Sequence, residues 1–185
     1  EGVSRLLPAY LRSGTGLQRG TPDILDGSDG PIELIIEETE IRIDGRRGWG
    51  TTVNGTIPGP LLRFREGDEA VIHVTNRLDE DSSVHWHGIL VPNAMDGVPN
   101  VTFPGIRPGE TFTYRFPIRQ VGTYWWHAHT LQEPMGHYGP IIIDPAEPDP
   151  FEYEREYVLM LTDWSPMNPH EIIRKLKVGE GYFNY

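Results

Sequence analysis

From Ile32 onward the apolar residues recur mostly at every second position or in short blocks, the spacing of strands. IELIIEETEIRI (32–43) alternates well enough for one long strand or a bent pair. In EGDEAVIHVTNRL (66–78) a Gly-Asp turn precedes apolar alternation at Ala70, Ile72 and Val74. SSVHWHGIL (82–90), TFTYRFPI (111–118) and GTYWWHAHT (122–130) are β-prone, and GHYGPIIIDP (136–145) ends in the compact apolar run of a buried strand. Between them lie turn signals: Asn54-Gly55, Pro58-Gly59, and the long Gly/Pro loop PNAMDGVPNVTFPGIRPGE (92–110). About eight strands with turns every 8 to 12 residues or so predict an all-β sandwich or barrel.

The ends read differently. Residues 1–30 hold Gly, Ser, Pro and Asp with little periodicity, as expected of a loosely ordered arm. The sandwich domain is expected over 31–146, followed by a Pro-rich, acidic linker at 147–156. YVLMLTDW (157–164) reads as a new strand. NPHEIIRKLK (168–177) reads as a short helix, with Asn168 as N-cap, Pro169 in the first turn and Glu171 three residues on. Residues 157–185 are too few for a second sandwich. They are expected either to pack on the first domain or to begin a truncated second one.

Composition agrees. Hydrophobic residues are 37% of the 185, enough for a core, and Gly 21 plus Pro 17 favour strands and turns over long helices. A net charge of −11 argues against nucleic acid or an anionic membrane surface as partner, because both need basic patches. Cysteine is absent, which removes disulfides and thiolate chemistry. No apolar run approaches the roughly 18 residues of a membrane span. The chain shows no signal peptide and does not begin with Met, as expected of a mature form or a fragment.

The chemistry lies in HWHG (85–88) and WWHAH (125–129). Four of seven histidines fall in two His-x-His pairs. In a strand, residues i and i+2 share a face, so His85 pairs with His87 and His127 with His129. If the two strands are neighbours, four imidazoles converge. Such a set, without carboxylate or thiolate, suits copper or zinc and not magnesium or calcium. Chance supplies roughly a quarter of one such pair at this His content, so one pair would mean little and two mean a metal site. The other histidines carry less. His73 is out of phase with Ile72 and Val74 and is expected to face solvent. His170 at a helix start is expected there too. His137 in MGHYGP reads as a loop residue or a neighbour of the site, and Met135 as packing or surface.

HWHGILVPNAMDGVP together with GTYWWHAHTLQEPMGHYGPIIIDP resembles the first, N-terminal cupredoxin domain of the multicopper oxidases, nearest to their copper-resistance protein A type. NGTIPGPLLRFREGD, FPGIRPGETFTYRFPIRQVGTYWW and EYVLMLTDWSPMNP also resemble that subgroup, so the likeness runs from about Ile32 to the C-terminus. It implies an all-β, cupredoxin-like Greek-key sandwich, copper as cofactor, dioxygen as co-substrate and a periplasmic or extracellular home. It also implies ligand roles: His85 to the type 2 copper, His87 and His127 to one type 3 copper, and His129 to the other. An acidic residue in the loop after the first motif lies near the type 2 site in this family. Here that is Asp96, expected to orient a ligand or pass protons; read plainly, it is a turn residue before Gly97.

Two departures bear on function. The family's trinuclear cluster needs twice the histidines of these two motifs, the rest coming from a C-terminal domain that also supplies a His-Cys-His motif. A chain without cysteine has no type 1 copper site. The segment after HAHT is also one residue shorter than the family pattern. The sequence therefore supports two expectations: half of the type 2/type 3 copper ligands of an oxidase of Cu(I) or phenol-type substrates, inactive alone and partnered by C-terminal cupredoxin domains, or a non-catalytic copper-binding module for copper tolerance.

Overall fold

The alternation at 32–43 becomes the longest strand of two facing sheets in a computed structural model that describes residues 23–43, 45–179 and 181. The strands are β1 (Ile24–Asp26), β2 (Ile32–Ile43), β3 (Arg46–Val53), β4 (Leu61–Arg65), β5 (Glu69–Asn76), β6 (His85–His87), β7 (Thr111–Pro117), β8 (Gly122–His127) and β9 (Tyr138–Asp144). One sheet has the order β1-β4-β9-β8-β6, the other β3-β2-β5-β7. Both are mixed: β1, β4 and β9 run parallel, as do β2 and β5, and the other pairs are antiparallel.

Period-two burial turns one face of each strand inward. Ile32, Leu34, Ile36, Ile72 and Val74 meet Trp86, Trp126, Ile141 and Ile143 in one core. Tyr114 and Phe116 of β7 pack their rings 5.0 and 5.4 Å from Trp86, an aromatic contact between the two sheets. The outer face of the first sheet carries a smaller cluster of Leu61, Ile142 and Val158. This is the sandwich of the two architectures, sandwich or barrel, that the strand pattern predicted, and the cupredoxin-like fold that the resemblance implies.

Two local expectations need correction, and one strand was not anticipated. The arm predicted over 1–30 ends sooner: Ile24–Asp26 form β1 against β4, followed by a 3-10 turn at Gly27–Asp29. Three residues are too few to show a period, and residues 1–22 lie outside the described part. YVLMLTDW forms no strand; among described residues it runs unpaired over the outer face of the first sheet, with Val158 buried and Leu159 and Leu161 exposed. Its apolar content anchors it through Val158 against Leu61 and Ile142, so it crosses the sheet face instead of pairing along an edge. Finally, RRGWGTTV forms β3 despite two glycines and two arginines, because β2 is long enough to pair with it from Ile36↔Val53 to Ile43↔Arg46. The helix appears as read, α1 at Pro169–Val178, with the Asn168 side chain accepting from the His170 N–H. Among the described residues no helix is long and apolar enough to cross a membrane.

Candidate metal centre

The two His-x-His motifs lie on adjacent antiparallel strands, with β6 at the sheet edge and β8 beside it. The register sets His85 opposite His127 and His87 opposite Trp125. Trp86 and Trp126 occupy the alternate positions and are fully buried, so the histidines point to the outer face. Tryptophans inward thus fix histidines outward.

His85 sits at the middle of the group. Its ring centroid is 5.6 Å from that of His87, 5.4 Å from His127 and 5.6 Å from His129. One ligand atom each from His85, His87 and His127 falls within 4.8 Å of the others. His129 stands apart from that trio, 6.3 Å from His127 by ring centroid. His87 Nδ1 lies 3.2 Å from His127 Nε2. Two nitrogens bound at about 2.0 Å to one metal at a near-tetrahedral angle are separated by roughly 3.3 Å, so this pair has the bite of a shared ion.

Two of the other ring nitrogens, one on His85 and one on His127, are engaged. His85 Nδ1 hydrogen-bonds to the Asp96 carbonyl at 2.7 Å, with the Asp96 carboxylate 3.3 Å away. His127 Nδ1 hydrogen-bonds to the Ala128 carbonyl at 2.8 Å, and Glu133 Oε2 stands 2.9 Å from the same nitrogen. A carbonyl makes Nδ1 the protonated donor and leaves Nε2 as the free lone pair. His85 and His127 thus present Nε2, whereas His87 turns Nδ1 to the cluster. Trp125 stacks on His127 at 4.1 Å and on His87 at 4.9 Å and limits how either ring can rotate. Burial, then the neighbouring His85 and His87, hold His127 below the ordinary imidazole pKa; a neutral ring is what a metal needs.

The loops are built to hold these contacts. Asp96 follows a 3-10 turn at Asn93–Met95, and Gly97 at φ +75° lies against the Val84 carbonyl, where a Cβ would come within 1.8 Å. Beyond β8, the His129 N–H donates to Ser83 Oγ at 3.1 Å. Buried Gln132 accepts from Ser82 Oγ at 2.6 Å and donates to Glu80 Oε1 and the Asp81 carbonyl, both at 2.9 Å. Glu133 follows at once in a 3-10 turn, Glu133–Met135, with Pro134 in its first positions.

The other sequence candidates fall outside the cluster. His73 lies on the outer face of the second sheet, bonded to Thr113 Oγ1 at 2.8 Å, and His170 is exposed. His137, just before β9, is fully buried on the core side beside Trp126, and its backbone carbonyl accepts from the Ala128 N–H at 3.0 Å, so it neighbours the site without joining the cluster. Glu133 and Trp125 were not singled out from sequence. The signal for Glu133 was there: an acidic residue in the loop after the second motif, as Asp96 is after the first.

This fold and this histidine face are those of a family known by sequence. A multicopper oxidase family model matches residues 35–148. The chain is 48% identical, over 98% of its length, to a copper resistance protein A homolog of Pseudomonas syringae pv. tomato, covering 32% of that protein. It is 51% identical over 83% of its length to copper resistance protein A of Escherichia coli, covering 26% of it. Among solved structures, a laccase variant from B. aclada superposes with a TM-score of 0.73 at 37% identity, covering 86% of this chain and 29% of that one. The chain belongs to the multicopper oxidase family. It spans about a third or less of the length of these copper-resistance relatives. Copper is the cofactor of this family, and the histidine cluster has the donor set for it.

Proposed function

We propose that this chain is the N-terminal copper-binding part of a multicopper oxidase, supplying half of the ligands of a type 2/type 3 trinuclear centre. The observation that carries this is the 3.2 Å approach of His87 Nδ1 to His127 Nε2 across the β6–β8 register. His87 and His127 would hold one type 3 copper, His129 the second, and His85, presenting Nε2, the type 2 copper. The copper supplies one-electron chemistry that couples oxidation of a reduced substrate to reduction of dioxygen to water. Substrates of the Cu(I) or phenol type and a periplasmic or extracellular setting follow from the likeness to copper-resistance proteins.

The chain's own residues do three things. The tryptophans and the strand register set the imidazoles on one outer face. Asp96 holds the Nδ1 proton of His85 at its carbonyl and keeps its carboxylate 3.3 Å away, where it can accept or return a proton beside the centre. His87 and His129 remain exposed, so the remaining histidines can approach from outside the chain. Residues 157–185 would begin the next domain.

Copper stoichiometry, with EPR and visible spectra and a phenol-oxidation assay on the 185-residue chain, tests this. Weak copper binding, no blue band and no turnover are expected until the domains carrying the remaining ligands are present. Tight binding of one or two coppers that persists without them would favour a copper-sequestering module instead. Turnover by this chain alone would overturn the proposal, since no cysteine exists for a type 1 site.

A further inference from the structure

Of the atoms that touch the four histidines, one charged group has no place in the centre described so far. Glu133 Oε2 lies 2.9 Å from His127 Nδ1, the nitrogen that faces away from the cluster. We infer that Glu133 is a positioning residue for the copper ligand His127: its carboxylate shares the Nδ1 proton and makes Nε2 a stronger donor to the metal. This rests on the copper centre proposed above.

Three observations meet here. His127 is the most enclosed of the cluster, its side chain 9% exposed against 42% for Glu133, so solvent screens the contact from the carboxylate side only. Its ring is caught between the stack on Trp125 and the Nδ1 contacts, so the carboxylate bears on a ring already fixed in plane. Glu133 is delivered by construction. Gln132, 3% exposed, is bonded to Ser82, Glu80 and the Asp81 carbonyl, and the 3-10 turn with Pro134 then sets the direction of the next side chain. The arrangement parallels His85 with Asp96: a backbone carbonyl and a carboxylate on the same Nδ1, in the loop after each motif. Carboxylate–imidazole–metal sets of this kind orient the ring and raise its basicity, and losing the carboxylate typically weakens metal binding by about 10- to 100-fold.

The test is copper affinity by chelator competition at pH 7.5, on the whole chain and its variants, with the metal alone as ligand. Glu133→Gln keeps the shape and removes the charge; it and Glu133→Ala should each bind copper about tenfold or more weakly, while Glu133→Asp recovers part of the loss. Asp163→Asn removes a charge from the same cleft, about 520 Å³ and lined by both acids, and should stay within twofold. The second readout needs no metal. In the copper-free chain the His127 Nδ1–H proton resonance, assigned by its loss in His127→Ala, should move upfield in Glu133→Gln as the charged acceptor goes. Copper affinity within twofold of the parent in both Glu133→Gln and Glu133→Ala, with His127→Ala losing copper, would overturn the inference. If His127→Ala loses no copper, the centre itself is wrong, and an unmoved Nδ1–H resonance would then overturn the Glu133 contact as well.

Discussion

Both ring nitrogens of His137 lie in the core without a hydrogen-bonding partner, and burial pushes its pKa down to about 3. A buried unsatisfied polar group costs roughly 1–3 kcal/mol. His137→Leu is therefore expected to stabilise the chain by about 1–2 kcal/mol, read as a rise in Tm. The sign with pH follows. The unfolded chain takes up this proton near the ordinary value of about 6.5 and the folded chain does not until about 3. Stability from this residue is complete above about 6.5 and is lost progressively as pH falls toward 3. The variant should lose that part of the acid slope, and an identical slope in both proteins would contradict the burial. Gly97 makes the opposite case. At φ +75° and against the Val84 carbonyl, Gly97→Ala should cost about 3 kcal/mol or more and pull Asp96 away from His85. Urea titration would show it, and a variant as stable as the parent would rule out the tight approach.

Elements depend on a few polar ties. Arg63 on β4 donates to both Asp144 carboxylate oxygens at 2.6 Å and to Glu156 at 2.7 Å, joining β4, β9 and the segment that follows them. Arg63→Met should cost about 2 kcal/mol and free the 155–165 segment, seen as faster amide exchange there and not in β2. Protection equal to the parent's would mean that Val158 and the Tyr138 and Trp164 contacts hold it without the ion pair. Elements also show where sequence reading stops. β2 and β5 were legible because a half-buried strand writes its period into its own residues. β3 was not, since Arg46, Arg47, Gly48 and Gly50 carry no alternation and are paired only because β2 extends past the core. YVLMLTDW misled in the other direction: a short apolar run suggests a strand, but only a partner edge completes one.

At the scale of the whole molecule, the histidine face sets how metal binding responds to pH. Four imidazoles on one face repel one another when protonated, and protons compete with metal for the same lone pairs. Copper affinity should fall at least about tenfold between pH 7.5 and pH 5, and an affinity unchanged over that range would refute the four-histidine site. His87→Ala should lose far more copper than His73→Ala, because His73 lies on the other sheet; equal losses would mean that the site lies elsewhere.

By itself the sequence determined the fold class, the strands whose burial alternates, the helix cap at Asn168, and His85, His87, His127 and His129 as candidate ligands, because each is written in local spacing. Tertiary structure decided what depends on residues far apart. It chose which ring nitrogen of each histidine is free, since Asp96 and Ala128 occupy the other one in two of them. It turned His137 into the core, since its neighbour Tyr138, paired with His127, takes the outer face. It brought Glu133 to His127, since a network from Gln132 to Ser82, fifty positions apart, sets the path of that loop. Spacing can place a side chain on a face; only packing decides what it meets there.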